Sequence, residues 1–149
     1  MVRVVFRVAG KPPKKIRGKS LWTADSQASL VRELRKAAYI ERENLKIEPL
    51  KNEVLLQIEV QLPTLNNNPM RQELFWGDLD NIVSGICESL QKANTRYKFI
   101  SDDSANGKPI LYDDDSQIVS INAIKTVSDS EPASYRVIIE ETCARFSVS

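Results

Sequence analysis

The chain contains no histidine. That single absence excludes a serine or cysteine nucleophile activated by imidazole, a histidine general base and any His-ligated zinc. Chemistry, if there is any, must run on carboxylates, amines, hydroxyls or a hard metal bound through oxygen. Cysteine is almost as scarce. Cys87 and Cys143 stand 56 residues apart, form no CxxC pair and cannot make a four-ligand zinc site. They read as two reduced, buried thiols of an intracellular protein, with a disulfide as the alternative. No apolar run approaches the roughly 18 residues of a membrane span. Residues 1–10 alternate apolar and polar and carry Arg3 and Arg7, unlike a signal peptide. A soluble, cytoplasmic protein with no membrane partner is expected.

What is present fits one domain over residues 1–149, built around a single core. With 42% hydrophobic and 28% charged residues, the composition is that of an ordinary globular protein. The net charge of +1 conceals an asymmetry. Residues 1–36 hold ten basic and two acidic side chains (+8), and the remainder carries −7. A basic third beside an acidic remainder suggests a polyanion-binding edge next to a cation-binding centre. A solvated, lysine-rich loop would give the same charge count.

Val2, Val4, Phe6 and Val8 alternate with Arg3, Val5 and Arg7, which predicts a strand ending at Gly10. Lys11-Pro12-Pro13-Lys14-Lys15-Ile16-Arg17-Gly18-Lys19 then reads as a basic loop, because prolines and glycines punctuate it. From Asp25 to Glu41 the positions Leu30, Val31, Leu34, Ala37 and Ala38 form a helical stripe, with Thr23 or Asp25 as N-cap. Val54 to Leu62 alternates cleanly and predicts a strand stopped by Pro63. Residues 63–77, with Asn66-Asn67-Asn68-Pro69, read as an exposed loop. A second helix follows, with Leu79, Ile82, Val83, Ile86, Cys87 and Leu90 at a 3.6 period and Asp78 placed to cap it. Residues 94–114 form a long loop, and loops of that length in small domains are usually functional or disordered. Two further strands are expected, one with Val119, Ile121 and Ala123 on a face, the other with Tyr135, Val137 and Ile139; a polar turn near Ser128–Glu131 joins them. The order β-α-β-α-β-β gives an α/β (α+β) domain: a four-stranded mixed sheet with two helices packed on it.

Two acidic strings are candidates for chemistry. In Gly77-Asp78-Leu79-Asp80-Asn81 one aspartate is explained as a cap at the positive end of the helix dipole. The second is more than a cap requires, and two adjacent carboxylates invite a proton or a divalent cation. Oxygen-only ligands select Mg²⁺ or Mn²⁺ over zinc. In Asp113-Asp114-Asp115-Ser116-Gln117 three acids lead into a strand. A charged loop end accounts for Asp113. If the sheet sets this strand beside the start of the second helix, Asp114 or Asp115 would meet Asp78 and Asp80. The acids do not follow the twelve-residue spacing of an EF-hand loop.

Asp78-Leu79-Asp80-Asn81, a helix to Leu90, and Asp114-Asp115-Ser116-Gln117-Ile118-Val119 running on to Lys125 together resemble the RusA family of phage and bacterial Holliday junction resolvases. The element order agrees, as do, more loosely, the opening strand, the Pro12-Pro13 pair in a basic loop and Thr23-Ala24-Asp25-Ser26-Gln27 before a long helix. The resemblance spans most of the chain. It implies a homodimeric, Mg²⁺-dependent endonuclease that nicks four-way DNA junctions symmetrically, in a bacterial or prophage setting, with Mn²⁺ as a possible substitute metal. It assigns the metal-binding and catalytic carboxylates to Asp78, Asp80 and Asp115, with Asp114 beside them. The chain departs from the family at Ser84, where the family has a catalytic lysine. Lys125 and Lys108 are the residues that could replace it, whereas Lys92 lies two turns further along the helix. In this reading Lys11, Lys14, Lys15, Arg17, Lys19 and Lys125 contact DNA phosphates, giving affinity without sequence reading. Trp22 and Trp76 each have two readings, as core residues or as platforms for opened bases.

Overall fold

A computed structural model describes residues 2–64, 77–91, 108–128 and 130–142. The Asn66–Pro69 loop, Trp76, Lys92, residues 94–107 and Cys143 lie outside these residues. Strand β1 (Arg3–Ala9) is followed by α1 (Ala28–Leu45), β2 (Val54–Pro63), α2 (Leu79–Leu90), β3 (Ile118–Ser128) and β4 (Ser134–Glu141). The four strands form one mixed sheet in the order β1-β4-β2-β3. β4 runs antiparallel to both β1 and β2, and β3 runs parallel to β2. The expected four-stranded mixed sheet with two helices is the observed architecture. The first β-α-β crossover leaves a gap between β1 and β2 that the last strand fills, a split β-α-β arrangement. β3 and β4 are therefore no hairpin: the polar segment after Ser128 links strands on opposite sides of β2.

The core lies between one face of the sheet and the two helices. Val4, Phe6 and Val8 of β1, Leu56, Ile58, Val60 and Leu62 of β2, and Tyr135, Val137 and Ile139 of β4 meet Leu34 and Ala38 of α1 and Ile82, Ile86 and Leu90 of α2. These are the alternating and 3.6-period positions of the sequence, and their burial from water is the main stabilising term.

Four local features differ from expectation. Helix α1 starts later, because residues 21–27 are wound into two short 3₁₀ turns: Ala24 N–H donates to Leu21 and Gln27 N–H to Ala24. Ser20 caps the first turn, and Gln27 occupies the α1 N-cap without a side-chain bond. The end of the predicted 94–114 loop is core: Ile110, Leu111 and Tyr112 are fully buried. Leu111 N–H caps the Leu90 carbonyl of α2, and Tyr112 Oη donates to Cys87 O at 2.6 Å. Arg35, on the same helical stripe as Val31 and Ala38, is fully buried. Its guanidinium donates to the carbonyls of Ser89 (2.7 Å), Gln91 (2.8 Å) and Lys108 (3.1 Å) and lies over Trp22. It thereby ties the C-terminal end of α2 to α1 and to the segment entering Ile110. Finally, the apolar residues of β3 are largely exposed, because β3 is an edge strand reached only in part by α2.

Cys87 is buried as expected, and burial pushes its thiol up to about 12, with the charges of Asp115 and Glu88 adding to the effect. Trp22 is buried against Arg35, which removes it as a stacking platform. Among the described residues no helix is long and apolar enough to cross a membrane.

Candidate functional site

Helix α2 organises the site. Its N-cap is Asp78, whose carbonyl accepts from Ile82 N–H, yet the Asp78 side chain makes no capping bond. The predicted side-chain cap is thus not made, and Asp78 and Asp80, the latter in the first turn, are both exposed. Both lie where the helix dipole favours negative charge.

The basic loop is laid across the same helix rather than standing in solvent. Pro12 and Pro13 are buried, and the Pro13 carbonyl comes so close to Gly85 that a Cβ there would lie 2.4 Å from its oxygen. Lys15 N–H donates to Asn81 O at 3.0 Å and Lys14 N–H to Gln27 Oε1 at 2.9 Å. The stem of Lys14 covers Gly77, a residue with φ +90°, and reaches the field of Asp78. Burial lowers the pKa of Lys14, the charge of Lys11 lowers it further, and Asp78 opposes both. Lys15 pairs with Glu88 at 3.1 Å. Arg17 and Lys19, around the turn at Gly18, are exposed. Lys125 of β3 also arrives here, with Nζ 3.4 Å from the Gly77 carbonyl. Of the two lysines considered as replacements at Ser84, Lys125 is therefore the one beside the acidic turn. Lys108 lies in a separate cleft with Tyr39, Arg42, Glu48 and Lys51.

The three acids before β3 have three different surroundings. Asp113 forms a solvent-exposed pair with Lys51 at 3.1 Å. Asp114 caps a 3₁₀ turn over Asp115–Gln117 by accepting from Ser116 N–H. Gln117 pins that turn: its Oε1 accepts from Asp113 and Asp114 N–H, and its Nε2 donates to the carbonyls of Leu50 and Asn52. Asp115 faces α2, where it shares a cleft of about 220 Å³ with Val83, Ser84, Cys87, Glu88, Ile118 and Ile121. The Ser116 N–H, followed by a bond to Asp115, holds Asp114 below the usual carboxylate range. Burial raises Asp115, and its bond to Asp114 and the charges of Asp114 and Glu88 raise it further, against the pull of Lys15.

Asp115 therefore meets α2, but at its second and third turns. Asp80, Ser84 and Glu88 recur every four residues along one stripe of the helix, and eight residues of helix span about 12 Å. Asp80 opens this stripe, Asp115 lies against its far end and Asp78 precedes it at the N-cap, so the three are not gathered. Among the described residues no three acidic or thiol groups stand close enough to hold one ion together. This corrects the expected convergence: the 3₁₀ turn and the Gln117 bonds fix Asp115 near Glu88 instead.

No family model matches the chain, and no curated protein matches it significantly. Sequence reasoning missed Glu88, although its spacing from Asp80 and Ser84 put it on the same stripe. It also missed Arg35, whose signal was a charged residue at a core position of a helical stripe.

Proposed function

We propose that the chain is a RusA-like endodeoxyribonuclease acting on branched DNA, the four-way junction above all, as a homodimer. The observation that carries this reading is the loop laid along α2, which brings a basic segment and the Asp78–Asp80 turn to one surface, with Lys125 beside them. A phosphodiester at that surface would meet cations and carboxylates together, as hydrolysis of an anionic ester requires.

The donor set fits a hard cation in its chemistry, since every candidate ligand is a carboxylate oxygen. Mg²⁺, or Mn²⁺ in its place, would be held by Asp78 and Asp80, while Asp115 stands apart from them beside Glu88. When bound, the metal supplies acidified water and neutralises phosphoryl charge. The chain's own residues have separate tasks. Exposed Arg17 and Lys19 grip duplex phosphates. Lys14 and Lys125 flank the acidic turn and offset its repulsion of the backbone. Asp115, whose proton affinity is raised by its neighbours, is suited to accept a proton from attacking water.

The spread of the carboxylates, together with Ser84 at the family's lysine position and Lys15 on Glu88, favours a second reading: a branched-DNA-binding protein of the same fold with little or no cleavage. A synthetic four-way junction incubated with Mg²⁺ or Mn²⁺ separates the two. Symmetric nicking that is lost in Asp78→Asn and Asp80→Asn, with binding retained, supports the nuclease. Binding without nicking in either metal supports the second reading. Absence of junction binding at low salt would refute both.

A further inference from the structure

We propose that the cleft on the face of the sheet turned away from α1 and α2 binds a small organic phosphate, with the Arg7 guanidinium holding the phosphoryl group. The cleft has a volume of about 300 Å³ and is lined by Arg7 of β1, Glu59, Val60 and Gln61 of β2, and Ile124 and Thr126 of β3. That volume is at the lower end of small-ligand sites and exceeds what a bare phosphate ion fills. Arg7, Glu59 and Gln61 alternate with the core residues Phe6, Val8, Ile58, Val60 and Leu62, so they lie on the side away from the helices. Ile124 and Thr126 pair with Glu59 and Gln61. The site is across the sheet from the acidic turn and stands independently of the nuclease reading.

The charges on this face do not balance. Register sets Arg7 directly opposite Arg136, a like-charged cross-strand pair that costs stability. The row Arg7–Arg136–Glu59–Ile124 holds two guanidiniums and one carboxylate. That carboxylate is engaged at both oxygens: Glu59 Oε2 accepts from Arg136 at 3.3 Å and Oε1 from Gln57 at 3.2 Å. Among the described residues Arg7 has no carboxylate partner; its Nη1 donates to Ser134 Oγ at 3.2 Å. Ser134 stands beside Gln61 in the register, so this bond carries the guanidinium toward the Gln61 amide. A guanidinium presents parallel N–H groups that match two phosphoryl oxygens. Gln61 can bond to hydroxyls of the organic part, and Thr126 Oγ1, whose own proton goes to Val60 O, can accept from them. Ile124 supplies apolar contact. A bound phosphate would also offset the Arg7–Arg136 repulsion that Glu59 alone meets.

Thermal unfolding in a chloride buffer tests the site. Ribose 5-phosphate should raise Tm above a potassium chloride control of equal ionic strength, and inorganic phosphate should raise it less at equal concentration. Arg7→Gln should weaken ribose 5-phosphate binding, measured by calorimetry, by about tenfold or more, as loss of a charge-assisted bond implies. The same variant should melt higher than wild type without ligand, since it removes a like-charged pair. A lower Tm would mark Arg7 as a structural residue and overturn the reasoning. Gln61→Glu, which places a carboxylate beside Arg7, should also melt higher and lose the ribose 5-phosphate response. No rise beyond the salt control, an equal rise with inorganic phosphate, or a rise that persists in Arg7→Gln overturns the proposal. It also falls if ribose 5-phosphate has no effect while Arg7→Gln weakens binding of linear duplex DNA, which would make the cleft a nucleic-acid contact.

Discussion

Gly85 sits in the middle of α2, where alanine would normally raise helix stability by about 1 kcal/mol. Here the opposite outcome is expected. A Cβ at this position would lie 2.4 Å from Pro13 O, 2.7 Å from Pro13 C and 2.8 Å from Lys14 Cα. All three are backbone atoms, so no rotamer change relieves the clash and the basic loop must lift off the helix. Overpacking of this kind costs about 1–3 kcal/mol. Lifting the loop also strains the bonds from Lys15 N–H to Asn81 O and from Lys14 N–H to Gln27 Oε1. Each contributes about 1 kcal/mol net. After subtracting the helix gain, Gly85→Ala should destabilise by about 2 kcal/mol, which at this chain length lowers Tm by about 4–8 °C. Ser84→Ala, one residue away and pointing into the open cleft, is the control and should move Tm little. If the loop's docking on α2 also sets the DNA surface, Gly85→Ala should weaken junction binding at temperatures well below its Tm. A variant as stable as wild type, or more so, would show that the loop does not rest on this helix, and the site described above would lose its basis.

Arg35→Met should cost about 3 kcal/mol or more in urea unfolding, because it leaves buried carbonyls at the end of α2 without their donors; Arg35→Lys should rescue little, since a single ammonium cannot span the three carbonyls. Asp115 is raised above the usual carboxylate range, so its ionised form costs stability in the folded state. That cost is absent below the unfolded value of about 3.9, develops as the pH rises through the folded pKa and is complete above it. Asp115→Asn should therefore melt higher than wild type at neutral pH, with the gap closing toward pH 3; a gap that widens in acid would reverse the assignment. Arg17→Gln/Lys19→Gln should reduce the log–log salt slope of junction binding by about 1.8 without changing Tm, each lost phosphate contact accounting for about 0.9. An unchanged slope would make this turn a merely solvated surface.

Period alone was enough to read most of the fold. The alternation at Val4–Val8, Val54–Leu62 and Tyr135–Ile139 and the 3.6-residue spacing of both helices report which side of each element leaves water, and that preference is local to the element. The missing histidine likewise limits the chemistry through composition alone, since no fold can supply an imidazole that the chain does not carry. The third dimension decided what depends on neighbours. Val119 and Ile121 look like core in sequence, yet strand order makes β3 an edge, and nothing within the strand encodes its place in the sheet. Arg35 looks solvated, yet the end of α2 supplies it with buried carbonyls. Ile110–Tyr112 look like loop, yet they complete the core beneath Leu50 and Leu90. The acidic strings were legible as strings, but their distances were not. A 3₁₀ turn held by Gln117 sets Asp115 against Glu88 rather than Asp78, because hydrogen bonds to Leu50 and Asn52, more than sixty residues away in sequence, fix where that turn can stand.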